Sequence, residues 1–281
     1  MVKLSEAATS KFAKVGDLDL HYNEAGDGEV VVMLHGSGPG ASGWGNFHRN
    51  IDYFVDAGYR VILLDQPGFN KSSEIVVTEP RDVHHARVLR DFLDVLGIGR
   101  AHVVGNSMGG AVSLSFALEY PDRIAKQVLI GAGGVGSSVF YPHPAEGIRH
   151  LLNLYREPSR ENLERMLEVF VYDPGSITKE LFNNRLENLR RSEKHCQNFV
   201  ASVEAVSGRI VSDHSARLPA IKADTLITWG SEDRFVPLDF GLRLVKQIPS
   251  AQLHVFNKCG HWGQWEKADL FNRLVVDFLK H

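Results

Sequence analysis

The chain has 281 residues, 43% of them hydrophobic and 23% charged, with a formal net charge of -3. That length suits one large α/β domain with a substantial core, and the balance excludes a disordered chain and a basic nucleic-acid surface. Two cysteines, Cys196 and Cys259, build no disulfide framework; with no signal-peptide core in MVKLSEAATSKF and no apolar run of the roughly 18 residues that span a bilayer, a cytoplasmic protein with no membrane or nucleic-acid partner is expected.

FAKVGDLDLHYNEAG alternates around a Gly-Asp turn and predicts a leading β-hairpin, after which EVVVMLHG, continuously apolar, predicts a buried strand. Phe47 to Ala57 suits a helix, YRVILLDQPG a second buried strand, and Val83 to Leu96 another helix. AHVVGNSMGG joins a strand to a helix through glycines, and Ile124 to Gly131 contains a further strand. Strands alternating with helices imply the α/β class, with a mostly parallel sheet covered on both faces. Near residue 138 the strand signal stops. Ser159 is then a plausible N-cap for a helix whose Leu163, Met166, Leu167 and Phe170 form an apolar stripe. The pattern predicts a helical lid over 138–215, inserted between two core segments, 1–137 and 216–281; the second holds strands ADTLITWG and AQLHVF and a closing helix from Leu270 to Leu279.

HGSGPGASGW, residues 35–44, follows the first buried strand and satisfies the dinucleotide fingerprint through Gly38, Gly40 and Gly43, with Asp65 standing where a ribose-binding acid belongs. Against a nicotinamide cofactor, Pro39 removes an N–H from a loop that would have to donate them, a hairpin precedes the strand, and the rest of the chain goes unexplained. GNSMG, residues 105–109, matches the nucleophile elbow between a strand and a helix. Small residues two before and two after Ser107 permit the strained turn, and the helix start favours developing negative charge. A serine hydroxyl needs a base, and the base an orienting acid, here in the chain order Ser, acid, His. GSEDRFVP offers Glu232 and Asp233; the turn before Phe235 resembles an acid loop and favours Asp233, with Glu232 open. His254 lies within a strand, His281 is terminal, and His84, His85 and His102 come too early, which leaves His261. HGSGPG then reads as an oxyanion loop. The amides of Ser37 and Met108 would meet the developing charge, at about 3 to 4 kcal/mol per donor. With no HExxH or CxxC, no metal is expected. On a predicted lid helix, Arg185 shares an apolar face with Leu181, Phe182, Leu186 and Leu189, where a cation either snorkels or meets an anion.

HGSGPGASGW, DQPGFNKS, GNSMGG, WGSEDRFVPLD and CGHWGQWEKAD, with the lid phrase VFVYDPGSITKELFNNR, resemble the meta-cleavage product hydrolases, and most closely their biphenyl and dibenzofuran branch. These are α/β-hydrolases that cut carbon-carbon bonds in bacterial aromatic degradation. The resemblance implies that a 2-hydroxy-6-oxohexa-2,4-dienoate with an aryl group at C6 is ketonised and then attacked by Ser107, without a cofactor. It implies that Arg185 binds the substrate carboxylate, that Asn106 and Trp262 hold the dienoate end with it, that Gly36 and Gly38 border the substrate, and that the chain forms a homo-oligomer built on dimers. Ile148, Leu151 and Phe170 of the lid, with Phe235 and Val236, are expected to form the apolar pocket for the C6 group. Bland roles are expected elsewhere: packing for Cys259, a solvated lid face for Arg190, Arg191 and Lys194, and loop support for Asp65. Two other readings share the fold. A carboxylester hydrolase would leave Arg185 unexplained, and a ligand receptor would bind with negligible turnover.

Overall fold

The computed structural model describes residues 3–138 and 144–281, so residues 139–143 of the predicted lid lie outside the described residues. A short helix, α1 (Glu6–Thr9), leads into the hairpin of β1 (Ser10–Val15) and β2 (Leu18–Ala25), followed by β3 (Glu29–Leu34). Alternation along β3 divides its side chains between two cores. Val32 and Leu34 join the cluster containing Leu89 and Phe92, and Val31 and Met33 join the one containing Phe54 and Phe271. Burial on both faces is why the strand reads as a continuous apolar run.

The single helix expected from Phe47 to Ala57 is two, α2 (Gly43–Phe47) and α3 (Ile51–Asp56). Ser42 caps the first by accepting from Gly45 N at 2.9 Å. The break falls where Asn50 Nδ2 donates to Gln264 O at 3.1 Å and to Asn272 Oδ1 at 2.7 Å, bonds to the far end of the chain. The alternation continues through β4 (Tyr59–Leu64), α4 (Arg81–Val95), β5 (Ala101–Asn106), α5 (Met108–Glu119) and β6 (Ile124–Ile130).

Among the described residues, four α-helices separate β6 from the next strand: α6 (Glu146–Arg156), α7 (Arg160–Phe170), α8 (Lys179–Arg191) and α9 (Glu193–Ala205). Ser159 caps α7 by accepting from Asn162 N, and Leu163, Met166, Leu167 and Phe170 are all buried. The chain closes with β7 (Asp224–Gly230), α10 (Leu238–Gln247), β8 (Ala251–Phe256), α11 (Gly263–Glu266) and α12 (Ala268–Lys280). The eight strands of the described residues form one sheet in the order β1-β2-β4-β3-β5-β6-β7-β8, antiparallel at β1, β2 and β4 and parallel from β4 to β8. Among the described residues no helix is long and apolar enough to cross a membrane.

Candidate active site

From β3 the chain goes to β4 on one side and then returns to β5 on the other, so the loops after β3 and β5 diverge and leave a crevice at the strand ends. Ser107 stands at that point, immediately after β5, with φ 56° and ψ -115°. A left-handed backbone at a non-glycine residue costs on the order of 1 to 3 kcal/mol and persists only where the surroundings enforce it. Here the enforcement is close packing. A Cβ at Gly105 would lie 2.2 Å from Gly109 O, and one at Gly109 would lie 2.3 Å from Leu34 O. Ser107 N donates to Ile130 O at 2.8 Å. Met108 opens α5, so its amide belongs to the first turn that a helix leaves unpaired.

Of the two candidate acids, Asp233 meets His261. Its Oδ2 accepts from His261 Nδ1 at 2.7 Å, and its Oδ1 accepts from Phe235 N at 2.8 Å and Val236 N at 2.9 Å. Glu232 is exposed. His261 Nε2, on the opposite side of the ring, is buried and has no hydrogen-bond partner among the described residues. Phe235 stacks on the imidazole with centroids 5.1 Å apart, and His261 N donates to Phe170 O at 2.7 Å, tying the histidine loop to the end of α7. Beside it, Glu266 accepts from Gly260 N and Tyr172 N, both at 2.7 Å. Burial first, and then Glu266, push the Cys259 thiol well above its usual range, which suits packing rather than nucleophilic attack.

The loop after β3 is held from two sides. His35 Nδ1 donates to Gly36 O at 2.7 Å while its Nε2 accepts from Gln66 N at 3.0 Å; burial holds this imidazole below its ordinary value, hence neutral. From the lid helix α6, the Tyr155 hydroxyl donates to Ser37 O. A Cβ at Gly36 would lie 3.1 Å from Ser107 Cβ, so this loop borders the serine directly.

Arg185, on α8, is 5% exposed, and its Nε has no hydrogen-bond partner among the described residues. Its guanidinium lies 5.1 Å from the Trp262 ring and 5.7 Å from that of Phe170, and a Cβ at Gly38 would come within 2.4 Å of its Nη2. Burial lowers it to about 10, which still leaves it charged at neutral pH, and among the described residues it forms no ion pair. Removing a charge from water without a partner costs several kcal/mol, a cost that an anion beside the guanidinium would offset. Asn106 Nδ2 donates to Ile130 O at 3.1 Å and to His261 O at 3.5 Å, while its Oδ1 accepts from Asn46 Nδ2 at 3.5 Å.

A cavity of about 530 Å³ opens over Ser107, lined by Ser37, Met108, Ile148, Leu151, Phe235 and Val236 among others. Phe170 stands apart from that lining and packs between Phe235, at 4.1 Å, and Trp262, at 4.8 Å. Sequence reasoning missed Asn46, Tyr155, and the segment from Gly208 to Asp213 that also lines the cavity. Only Tyr155 left a trace, by falling on the helical stripe of Ile148 and Leu151. Arg190, Arg191 and Lys194 are exposed.

A family model described as alpha/beta hydrolase fold matches residues 29–268. The 2-hydroxy-6-oxo-6-phenylhexa-2,4-dienoate hydrolase of Comamonas testosteroni is 57% identical over 286 residues, covering 100% of this chain and 99% of that protein. A 2-hydroxy-6-oxononadienedioate/2-hydroxy-6-oxononatrienedioate hydrolase of Pseudomonas sp is 54% identical, with 99% of each chain covered. Among solved structures, the 2-hydroxy-6-oxo-6-phenylhexa-2,4-dienoate hydrolase of Rhodococcus sp. strain RHA1 aligns with a TM-score of 0.84 at 30% identity, covering 97% of this chain and 98% of that one. With nearly full-length similarity of sequence and fold, the chain belongs to the α/β-hydrolase family and, within it, to the meta-cleavage product hydrolases.

Proposed function

We propose that the protein hydrolyses the C5–C6 bond of 2-hydroxy-6-oxo-6-arylhexa-2,4-dienoates, releasing 2-hydroxypenta-2,4-dienoate and an aromatic acid. The observation that carries this reading is the buried cation of Arg185, without an ion pair among the described residues, in a site whose serine opens onto a largely apolar cavity. A substrate with a carboxylate at one end and an apolar group at the other suits both. An ester without the acid would leave the cation unpaired.

Arg185 takes the C1 carboxylate, with Asn106 and Trp262 beside the dienoate and Gly36 and Gly38 leaving room for its backbone approach. The dienol ketonises with protonation at C5, because only then does cleavage expel a stabilised carbon leaving group. Ser107 Oγ attacks the C6 ketone as His261 Nε2 takes its proton, and Asp233 holds the other ring nitrogen in its N–H form. The Ser37 and Met108 amides bind the oxyanion. Collapse breaks C5–C6 and the dienolate departs, taking the proton back from His261 to become 2-hydroxypenta-2,4-dienoate; water, deprotonated by the neutral His261, then releases the aryl acid from Ser107, which recovers its proton from His261. Ile148, Leu151, Phe235 and Val236 surround the aryl group, and Phe170 backs Phe235. The segment 138–215 acts as the lid over this site.

The reading extends to a cytoplasmic homo-oligomer built on dimers, consistent with two free buried thiols and with β8 as a sheet edge carrying the exposed Val255. Sedimentation of a monomer at micromolar concentration would remove the oligomer from it. The activity is tested by mixing the protein with 2-hydroxy-6-oxo-6-phenylhexa-2,4-dienoate and following loss of its visible absorbance with release of benzoate. Turnover is expected to vanish in Ser107→Ala and to weaken through KM in Arg185→Ala. No turnover, or turnover indifferent to Arg185, contradicts the proposal and directs attention to simple esters or to binding without catalysis.

A further inference from the structure

One helix connects the cavity to the oxyanion loop. On α6, Ile148, Leu151, Leu152 and Tyr155 follow the i, i+3, i+4, i+7 spacing that places side chains on one face. The first three line the cavity over Ser107. The fourth is 2% exposed, stacks on Phe199 of α9 with centroids 3.7 Å apart and planes at 3°, and donates its hydroxyl to Ser37 O. His195 Nε2 lies 3.4 Å from the same hydroxyl.

The consequence follows from the rigidity of the peptide plane. His35 fixes the carbonyl of the Gly36–Ser37 peptide, and Tyr155 fixes that of the next peptide, Ser37–Gly38. Together they determine where the Ser37 N–H points. His35 is anchored in the core through Gln66, whereas Tyr155 belongs to the helix that the C6 substituent would touch. A displacement of α6 by a poorly fitting substituent is therefore transmitted to the amide that would meet the oxyanion. Oxyanion donors act on the transition state, so misdirection lowers kcat more than it raises KM.

We propose that Tyr155 is a positioning residue through which α6 couples the fit of the C6 substituent to the aim of the Ser37 amide, so that substituent preference is expressed in kcat. This rests on the function proposed above. It also separates discrimination from simple binding: a small C6 group occupies the cavity without seating α6, and the tyrosine converts that looseness into slower attack.

The test compares kcat and KM for 6-phenyl and 6-methyl dienoates in the wild-type protein and in Tyr155→Phe. Loss of the hydroxyl is expected to lower kcat on the phenyl substrate about tenfold and on the methyl substrate about twofold or less, with KM within about twofold for both. The phenyl-to-methyl ratio of kcat then shrinks. Equal losses on the two substrates would assign Tyr155 a merely structural role, and a change confined to KM, or no change, would also overturn the proposal. Should Tyr155→Phe fail to fold, Phe199→Leu, which removes the ring stacked on the tyrosine, decides the matter by the same ratio. Failure of the wild-type protein to turn over either dienoate would instead strike the proposed function itself.

Discussion

Asp65 and His21 form a buried pair in which Asp65 Oδ2 accepts from His21 Nδ1 at 2.7 Å, with neither side chain more than 1% exposed. The same carboxylate accepts from Gly43 N at 2.7 Å and from Asn70 Nδ2 at 2.6 Å. An acid at the end of β4 is thus engaged in joining the hairpin to the loops beneath the site, with no oxygen reserved for a ribose. Asp65→Ala would strand three donors at about 1 to 3 kcal/mol each when buried. A stability loss of at least about 3 kcal/mol is expected in urea denaturation, and a near-neutral result would contradict this role.

Ser10 Oγ lies 2.8 Å from His21 Nε2, so Ser10, His21 and Asp65 form a serine-histidine-acid relay like that of the proposed triad, in a different chain order. Ser10 sits in the regular strand β1, whereas Ser107 holds a left-handed backbone at the start of α5. Position at a helix start, rather than the relay alone, favours an oxyanion. A fluorophosphonate probe is expected to label Ser107 alone; mass spectrometry finding the probe on the Ser10 peptide of Ser107→Ala would refute this.

Two glycines of the site should respond differently to alanine. At Gly109 the new Cβ would meet Leu34 O, which belongs to the backbone of a central strand, so Gly109→Ala is expected to destabilise by about 3 kcal/mol or more and to yield little folded protein. At Gly38 it would meet the far end of the Arg185 side chain, which can swing away. Gly38→Ala should keep its melting temperature within a few degrees while KM for the dienoate rises about tenfold or more. Unchanged KM would separate Gly38 from the carboxylate site.

An isolated buried cation weakens the protein that carries it. Arg185→Met, which retains the apolar stem, is expected to stabilise the unliganded protein by about 1 to 3 kcal/mol while KM rises by about two orders of magnitude. Calorimetry and kinetics on one preparation test both signs, and a destabilised variant would show that the Trp262 and Phe170 rings already compensate the charge.

Burial holds His35, His85 and His195 below the ordinary imidazole value, with His195 at about 3. In the unfolded chain these groups regain their ordinary value of 6.5, so the unfolded state takes up protons first as pH falls. The contribution of all three is complete above about pH 6.5 and is lost as pH falls; that of His195 declines toward pH 3, by up to about 1.4 kcal/mol per pH unit. His195→Gln should flatten the fall in stability between about pH 6 and pH 4 by close to one proton. An unaltered slope in denaturant titrations would exclude His195 from it.

Features fixed by neighbours in sequence are legible in the sequence alone. The two-sided burial of β3, the cap at Ser159 and the apolar company of Arg185 each follow from residues within a few positions. Asn50 was not legible as a helix break because its partners, Gln264 and Asn272, lie more than 200 positions away. Tyr155 and Ser37 are 118 positions apart, and nothing local to either announces the bond. Phe170 is expected in the apolar pocket and is buried, but it packs between Phe235 and Trp262 outside the cavity lining, because a helix stripe determines burial and not which distant rings the side chain meets. Between Glu232 and Asp233, the turn before Phe235 favours Asp233 in the sequence, and it is Asp233 that meets His261.

The helices α6 to α9 lie in the crossover between β6 and β7, hydrogen-bonded neighbours in register from Lys126 opposite Asp224 to Ile130 opposite Thr228. Parallel neighbours require a long connection in any case, so this excursion leaves the strand ladder uninterrupted. Evolution can therefore lengthen, shorten or exchange the intervening segment while the strand ends bearing Ser107, Asp233 and His261 stay in place. Substrate preference is thus inherited with the crossover, Tyr155 and Arg185 included, and a chimera carrying a relative's crossover on this sheet should acquire that relative's taste in substrates while keeping its own nucleophile, acid and base.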